Sequence, residues 1–336
     1  MPSTPPRTTP AYIKFLLIPW LLIAPALHAA DLQALVDQTH ALFKDVKEGA
    51  NANYIPILDE VPSELFGVAI TLADGSTYVA GDVDYIFSIQ SVAKPFTMAL
   101  VMDAQGPGAV REKIGVEPTG MPFNSIIAIE LNKQRAINPL VNAGAIAAVS
   151  MIDARSEKDR WNTILRGYSD FAGQKLHLMK DVYKSEAETN FRNRAIANQL
   201  FAYDRLYSDP MEAVTVYTKQ GTVGVSARIL AMMGATLANG GTNPKTGVRV
   251  IKTDHVPEVL AVMLMAGFYD ESGDWAYTAG LPAKTGVGGG IVAVIPGQMA
   301  IAAFSPRVNE AGNSVRALRA IQHISKSLSA SIFLPK

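Results

Sequence analysis

The stretch FSIQSVAKPFTMAL, residues 87–100, decides how the rest of the chain is interpreted, because it places Ser91 three residues before Lys94. The pattern predicts that both residues lie at the opening of an apolar helix that continues through Met102. A serine and a lysine at this spacing are either a nucleophile with its own base or the ordinary start of a helix. Burial of the pair would come from four apolar neighbours, Phe87, Ile89, Val92 and Phe96.

The S-x-x-K spacing by itself is a weak signal, because about one match is expected by chance in a chain of this length. Its chemistry is nevertheless coherent. Residues three apart on a helix share a face, so we expect the Lys94 amine to reach the Ser91 hydroxyl. Amides at a helix N-terminus stabilise negative charge, and burial lowers the pKa of a lysine toward the range of a general base.

A K-T-G segment is the second element of serine acyl-enzymes that use S-x-x-K, and the sequence contains two copies. Residues 245–247 lie in the turn-rich stretch NGGTNPKTGVRV, whereas residues 284–286 lead into an apolar β pattern. Because the segment has to lie on a strand that lines the site, we assign the function to residues 284–286. The backbone N–H of Val287 is then expected to face Ser91 and its N–H, which makes an oxyanion hole.

The two ends of the chain carry β patterns, and the middle carries helical ones. Asp74-Gly75 between two β-rich runs predicts one hairpin, and Pro296-Gly297-Gln298 predicts a second. This order predicts an α+β fold, with an antiparallel sheet from both chain ends flanked by helices and a mostly helical central subdomain over about 105–240. Helices are predicted at residues 31–50, 140–152, 226–241 and 313–330.

The first 30 residues differ from the remainder. Two basic residues and no acidic one precede the apolar run FLLIPWLLIAPALHAA, which ends in small residues. This composition predicts a secretory signal peptide over residues 1–30, cleaved near Ala29 or Ala30, and a mature domain over residues 31–336. The predicted location is therefore periplasmic or secreted, with no stable membrane association after cleavage. Without a signal peptide the location would be cytoplasmic.

Composition and motifs exclude several classes of function. The 30 basic and 30 acidic residues balance to a formal net charge of zero, so no nucleic-acid partner is expected. Without cysteine, the chain has no disulfide, no thiol nucleophile and no cysteine-ligated metal. The histidines do not stand at metal-ligand spacing, and no G-x-S-x-G motif supports a Ser-His-Asp triad. We therefore expect no metal and no organic cofactor.

Eight stretches in collinear order make the chain resemble the serine-dependent glutaminase family, over about residues 50–315. They are NYIPIL, FSIQSVAKPF, GVEPTGMPFNS, NPLVNAGAI, SEAETNFRNRAIA, GATLANGG, GFYDESGDWAY and GLPAKTGVGGGI. The resemblance implies the fold of β-lactamases and penicillin-binding proteins. It also implies hydrolysis of L-glutamine to L-glutamate and ammonia through a glutamyl-serine ester, by a homodimer or homotetramer.

The resemblance also assigns roles to individual residues. It implies that Ser91 attacks the side-chain amide of glutamine, that Lys94 is its base, and that Tyr54 assists proton transfer. A zwitterionic substrate needs a carboxylate for its ammonium group and neutral donors for its carboxylate. The resemblance implies that Ser91 and Asn142 contact the substrate, and that Glu186 and Asn193 hold its α-amino and α-carboxylate groups with the aid of Tyr217. It also implies that Tyr269 lies over the reacting amide and that Val287 gives its N–H to the oxyanion.

Other interpretations stay open on the sequence alone. Asn142 would otherwise be a helix-packing residue, Glu186 and Glu188 solvated charges, and the tyrosines part-buried core residues. The alternative enzymatic function is that of a β-lactamase or D,D-peptidase, although no S-D-N motif is present. A non-enzymatic alternative is a ligand sensor or interaction domain on the same scaffold, which would have no need to keep the serine and the lysine together.

Overall fold

The computed structural model describes residue 1, residues 29–132 and residues 136–335, and an antiparallel sheet of five strands forms its centre. The strands are β1 (Gly67–Leu72), β2 (Thr77–Gly81), β3 (Phe87–Ser88), β4 (Gly224–Val225), β5 (Ala283–Thr285), β6 (Gly290–Ile295) and β7 (Met299–Phe304). The five-stranded sheet has the order β2-β1-β7-β6-β5, and β3 pairs with β4 separately. The pairing of β1 with β7 joins the two ends of the chain, as the sequence predicts.

Helices make up most of the chain between β3 and β4. The α-helices are α1 (Ala29–Phe43), α2 (Pro56–Asp59), α3 (Lys94–Gln105), α4 (Pro107–Lys113), α5 (Ile127–Leu131), α6 (Asn142–Met151), α7 (Glu157–Ala172), α8 (Lys180–Thr189), α9 (Phe191–Ala202), α10 (Pro210–Gly221), α11 (Ala227–Ala238), α12 (Val256–Ala266), α13 (Ser272–Thr278) and α14 (Val315–Ser327). Short 3₁₀ turns lie at Gln90–Ala93, Thr253–His255 and Tyr269–Glu271. This arrangement confirms the predicted α+β architecture.

Both faces of the sheet are buried, which explains why β6 and β7 are apolar throughout. On β6, Ile291 and Ala293 belong to the core shared with α1 and α14, whereas Val292 and Val294 belong to the core beneath α11. Alternate residues of a strand point to opposite faces, so a strand covered on both sides presents apolar residues to both cores. Helix α11 lies very close to the sheet, since a Cβ added to Gly234 would be 2.6 Å from the Cβ of Ala300.

The two predicted hairpins form at the predicted turns. Gly75 joins β1 to β2 with φ at +92°, and Gly297 joins β6 to β7 with φ at +73°. Glycine adopts positive φ at little cost, and this freedom allows both turns to be short. The C-terminal hairpin holds β6 between β7 and β5, so the K-T-G segment of residues 284–286 begins on an edge strand.

Two predicted helices have different boundaries in the structure. The helix predicted over residues 31–50 ends at Phe43, because the next five residues, of which only Val46 is apolar, offer no face to bury against the core. The helix predicted through Ser91 is interrupted, since Ser91 lies in a 3₁₀ turn and α3 begins only at Lys94. The other predicted helices, at 140–152, 226–241 and 313–330, correspond to α6, α11 and α14.

The N-terminal prediction falls on residues that lie outside the described part of the chain. Apart from residue 1 and the backbone of residues 29 and 30, the predicted signal peptide is not described. Among the helices that the structure describes, none is long and apolar enough to cross a membrane.

Candidate active site

The turn that carries Ser91 is strained and well anchored. It follows β3, and the N–H of Ile89 donates to the carbonyl of Val223 at 2.9 Å. Gln90 adopts φ at +49°, which costs a non-glycine residue about 1–3 kcal/mol. Its Nε2 donates to Ser88 Oγ at 3.3 Å and to Glu186 Oε2 at 3.1 Å. These contacts stabilise the turn and leave Ser91 partly accessible.

The K-T-G segment, which begins on β5, packs directly against this turn. A Cβ added to Gly286 would lie 3.1 Å from the backbone nitrogen of Val92, and one added to Gly288 would lie 2.4 Å from the carbonyl oxygen of Ser88. Only glycine permits so close an approach. Within the described residues, the backbone N–H groups of Ser91 and Val287 have no hydrogen-bond acceptor. Two free N–H groups therefore stand beside the serine hydroxyl.

The other K-T-G copy, residues 245–247, lies in the segment between α11 and α12. It forms an exposed loop in which Asn243 Oδ1 accepts hydrogen bonds from the backbone N–H groups of Lys245 and Thr246. The loop is not a strand, in agreement with the sequence prediction that only the second copy has strand context. The hydrogen bonds to Asn243 therefore give residues 245–247 a structural role in the loop.

Lys94 is buried and hydrogen-bonded within a chain of amides. Its Nζ donates to Asn142 Oδ1 at 2.7 Å, and Asn142 Nδ2 donates to Asn193 Oδ1 at 2.9 Å. The expected direct hydrogen bond to Ser91 is not formed, because the buried ammonium group points to the start of α6 instead. Burial lowers the pKa of Lys94 to about 7, and the charge of Glu186 partly opposes that shift.

The phenol of Tyr269 lies close to the Ser91 hydroxyl. Tyr269 adopts φ at +58° in the 3₁₀ turn before α13, and its hydroxyl is buried. Burial raises the pKa of Tyr269, and the neighbouring Ser91 hydroxyl lowers it in part. The Nζ of Lys284 lies 3.9 Å from the centre of the Tyr269 ring and donates to the carbonyls of Gly267 and Thr285. The lysine of K-T-G therefore supports the Tyr269 turn.

Glu186, on α8, is a part-buried carboxylate close to Gln90 and Lys94. It accepts the Gln90 hydrogen bond described above, and Lys94 contributes an attractive charge. Burial is stronger than both effects and raises the pKa of Glu186 to about 7. A part-buried carboxylate with one amide donor can still bind a cation, which would lower that pKa again.

A cavity of about 130 Å³, called here the inner cavity, connects these residues. It is lined by seven residues that the sequence assigned to the site, Tyr54, Ser91, Asn142, Glu186, Asn193, Tyr217 and Val287. Lys94 and Tyr269 lie behind its wall, with Lys94 Nζ 6.0 Å from the Tyr217 ring centre and 5.4 Å from that of Tyr269. Tyr54 lies at the mouth and is 54% exposed. The fold therefore brings all nine assigned residues to one place.

The sequence analysis missed several lining residues, which are Ile55, Gln90, Phe123, Asn124, Thr189, Asn190 and Arg192. Two of them carry a signal. Gln90 is a polar residue directly before Ser91 within an apolar run. Asn190 donates to Thr218 Oγ1 at 2.5 Å, yet its buried Oδ1 has no partner in the described residues. An unpaired buried acceptor in a cavity wall favours a ligand with a donor.

Metal chemistry has no site in the described residues. Histidine, aspartate and glutamate side chains do not gather there in any group of three or more that could hold a metal ion. The polar groups of the side chains that line the inner cavity are amides, hydroxyls, phenols, the guanidinium of Arg192 and the carboxylate of Glu186. These groups suit an organic ligand with both an ammonium and a carboxylate group.

An antiparallel sheet built from both chain ends, with S-x-x-K on one side of a cavity and a strand-borne K-T-G on the other, defines the β-lactamase-like class of serine acyl-enzymes. Comparison with known proteins specifies the family. The family model described as Glutaminase matches residues 49–333. The chain therefore belongs to the Glutaminase family.

Individual relatives agree with this assignment. A glutaminase of Brucella canis is 51% identical over 302 residues, which cover 90% of this chain and 95% of the relative. Among solved structures, a probable glutaminase, ybaS, is 50% identical with a TM-score of 0.91, covering 92% of this chain and all of that one. A structure of Mglu in its L-glutamate binding form is 34% identical with a TM-score of 0.86, covering 91% of this chain and 68% of that one.

Proposed function

We propose that this chain hydrolyses L-glutamine to L-glutamate and ammonia through a glutamyl ester of Ser91. The observation that carries the proposal is that Ser91, Val287 and Asn142 line one cavity, with Lys94 hydrogen-bonded to Asn142. Within the described residues, the N–H groups of Ser91 and Val287 are free. Nucleophile, oxyanion donors and a base of suitable pKa are the three requirements of acyl transfer.

The proposed base is Lys94. At neutral pH a lysine with a pKa of about 7 is neutral in a substantial fraction of molecules, and its lone pair can accept the Ser91 proton. A neutral amine still has N–H groups, so the hydrogen bond to Asn142 persists and orients the lone pair. Asn142 is in turn held by Asn193. We assign Asn142 two tasks, positioning Lys94 and offering its remaining N–H to the substrate.

The substrate is proposed to lie with its α-carbon near α8 and α9 and its amide near Ser91. The carboxylate of Glu186 and the unpaired Oδ1 of Asn190 are acceptors for the α-ammonium group. Asn193 and the hydroxyl of Tyr217 are donors for the α-carboxylate. The small volume of the inner cavity suits a single amino acid.

The chemical steps follow from this placement. Ser91 Oγ attacks the side-chain carbonyl carbon while Lys94 takes its proton, and the oxyanion binds the N–H groups of Ser91 and Val287. The C–N bond then breaks, and the departing ammonia receives a proton through Tyr54 or Tyr269. Water attacks the glutamyl ester, loses its proton to the same base, and releases L-glutamate and free Ser91.

The β-lactamase alternative loses support from the sequence, which has no S-D-N motif. A chromogenic cephalosporin provides the direct comparison. Cephalosporin turnover by purified protein, without ammonia release from glutamine, would overturn the proposal.

The main test is the Ser91→Ala variant. Loss of the nucleophile is expected to reduce glutamine hydrolysis by about 10³-fold or more, with the circular dichroism spectrum unchanged. Acid quenching of the parent enzyme during turnover should trap a glutamyl group in the intact mass, and Ser91→Ala should show none. Hydrolysis retained by Ser91→Ala would show that the proposed mechanism is wrong.

The proposal also covers the export of the chain and its oligomeric state. The composition of residues 1–30 supports a cleaved signal peptide, and N-terminal sequencing of the mature protein from a periplasmic fraction tests it. A full-length chain recovered in the cytoplasm contradicts it.

The family resemblance supports a homodimer or homotetramer, which light scattering of the purified protein measures.

A further inference from the structure

A buried polar network joins three helices next to the turn that carries Ser91. It consists of Thr97 on α3, Tyr168 on α7 and Gln220 on α10, each at most 1% exposed. The Thr97 hydroxyl oxygen lies 2.6 Å from the Tyr168 hydroxyl oxygen and donates to Gln220 Oε1 at 2.5 Å. None of the three is among the described residues that line the inner cavity, so the chemistry proposed above does not use them.

The network is hydrogen-bonded to the backbone of that turn. The Tyr168 hydroxyl donates to the carbonyl oxygen of Ala93 at 2.9 Å. The peptide unit that contains this carbonyl also contains the N–H of Lys94, which donates to the carbonyl oxygen of Ser91. One peptide unit therefore connects Tyr168 to Ser91, and hydrogen bonds in such a series strengthen one another.

The turn needs such support because its backbone is strained. Gln90 has positive φ, and a conformation of this kind persists only where the surrounding structure imposes it. The hydrogen bonds of Ile89 and Gln90 hold the residues that precede Ser91. The hydrogen bond from Tyr168 holds the backbone that follows it. The position of Ser91 is therefore fixed from both directions along the chain.

Gln220 connects the network to the other support of the turn. It is the penultimate residue of α10, which ends at Gly221, and a Cβ added to Gly221 would be 3.8 Å from the Cα of Gln90. Two residues further on, the carbonyl of Val223 accepts the hydrogen bond from the N–H of Ile89. The end of α10 and the residues directly after it therefore support both halves of the turn.

We propose that Tyr168, held by Thr97 and Gln220, is a positioning residue for glutamine hydrolysis. Its hydroxyl keeps the 3₁₀ turn in the conformation in which the hydroxyl and the N–H of Ser91 face the substrate carbonyl. A displacement of about 1 Å can lower a rate by about 10²-fold, so a hydrogen bond to the backbone of the turn affects turnover without touching the substrate. This inference rests on the proposed role of Ser91 as the nucleophile.

A purely structural network would give a different result. Buried hydroxyl groups that only satisfy one another contribute to the free energy of unfolding, and their loss leaves kcat unchanged in molecules that stay folded. A positioning role instead predicts a lower kcat in the folded enzyme. KM should change little, because Glu186 and Asn193, which are proposed to bind the α-groups, make no hydrogen bond to the network within the described residues.

Thr97 offers a matched pair of variants that separates the hydroxyl from the packing of the side chain. Thr97→Val keeps the shape of the side chain and removes the hydroxyl, whereas Thr97→Ser keeps the hydroxyl and removes a methyl group. We expect Thr97→Val to lower kcat for glutamine by about tenfold with KM within about twofold, and Thr97→Ser to keep kcat within about twofold. Equal kcat in the two variants overturns the inference.

Tyr168→Phe tests the hydrogen bond to the turn itself. The variant keeps the ring, which packs edge-on against Phe96, and should also lower kcat by about tenfold. Combined with Thr97→Val it should lose less than the product of the two single losses, because both hydroxyls act through one contact; a loss equal to that product overturns the inference. Circular dichroism verifies folding at the assay temperature, and if Tyr168→Phe does not fold, the Thr97 pair decides alone. Parental kcat in folded Tyr168→Phe overturns the inference and leaves the proposed function intact, whereas hydrolysis retained by Ser91→Ala overturns both.

Discussion

The Nζ of Lys94 donates a hydrogen bond of 2.7 Å to Oδ1 of Asn142, a residue 48 positions further along the chain. This contact joins the first turn of α3 to the first turn of α6 and fixes the position of the amine. An amide oxygen accepts a hydrogen bond from both the charged and the neutral amine, so it does not force Lys94 to stay charged. A carboxylate at this position would do so.

Asn142→Asp should therefore shift the pH dependence of the enzyme. The new negative charge favours the ammonium form and raises the pKa of Lys94 above its value of about 7. Since the base must be neutral, the acid limb of kcat/KM should move up by roughly one pH unit or more. The exposed substitution Asn198→Asp is the control. An unmoved acid limb in Asn142→Asp would mean that Lys94 is not the base.

Glu186→Gln should weaken substrate binding far more than turnover. The variant keeps the shape of the side chain but loses the charge proposed to bind the α-ammonium group, so kcat/KM should fall by roughly 10²-fold, mainly through KM. Glu188→Gln, an exposed residue on the same helix, should stay within about twofold. Steady-state kinetics with glutamine measure both. Similar kinetics for the two variants would contradict the assignment of Glu186.

Asn190→Ala removes the unpaired acceptor in the cavity wall. If its Oδ1 accepts a hydrogen bond from the substrate ammonium, KM should rise by about tenfold, because a hydrogen bond to a charged group contributes about 1.5–3 kcal/mol. Asn198→Ala, on the exposed side of α9, provides the comparison. A KM equal to that of the parent would show that this atom is not used for binding.

The two K-T-G lysines offer a matched pair. Lys284→Met removes the hydrogen bonds to Gly267 and Thr285 and the contact with the Tyr269 ring. The phenol should then shift away from Ser91, and kcat should fall by about 10²-fold. Lys245→Met, on the exposed loop, should have parental kcat. If the two variants behave alike, the strand context does not mark the functional copy.

Lys94→Met should change how stability depends on pH. In the parent, Lys94 has a pKa of about 7 when folded, against an ordinary value of 10.5 for the unfolded chain. Between these values the unfolded state holds more protons, so the free energy of unfolding of the parent rises with pH. Below about pH 7 the folded protein carries the buried charge, and the destabilisation is complete. Above about pH 10 it is lost.

The variant lacks this group, so the parent should gain on the order of 1–3 kcal/mol relative to Lys94→Met between about pH 7 and pH 10. Urea denaturation across this range measures the difference. Lys245→Met should run parallel to the parent. A parallel curve for Lys94→Met would show that the Lys94 pKa is not depressed by folding.

Local patterns predicted the elements of the fold well. The Asp-Gly and Pro-Gly turns specify both hairpins, and the apolar runs on either side of Gly297 specify β6 and β7. Boundaries were less accurate, since the start of α3 shifted to Lys94. The 3₁₀ turn at Ser91 depends on Gln90 adopting positive φ, and that conformation is stabilised by Glu186, which is 96 residues away. No local pattern contains such a contact.

The amino-acid sequence by itself determined the class of chemistry for this protein: a serine and a lysine three residues apart, a strand-borne K-T-G to complete the site, and a set of motifs that identifies the family. Only the tertiary structure decided the pKa of Lys94 and which residues surround Ser91. The pKa of Lys94 follows from burial, which the charge of Glu186 partly opposes, and the unpaired Oδ1 of Asn190 follows from segments that meet across the fold. The physical reason is the separation along the chain over which each kind of information acts. Spacing along a chain reports neighbours within one or two turns, whereas desolvation and long-range partners exist only once distant segments pack together.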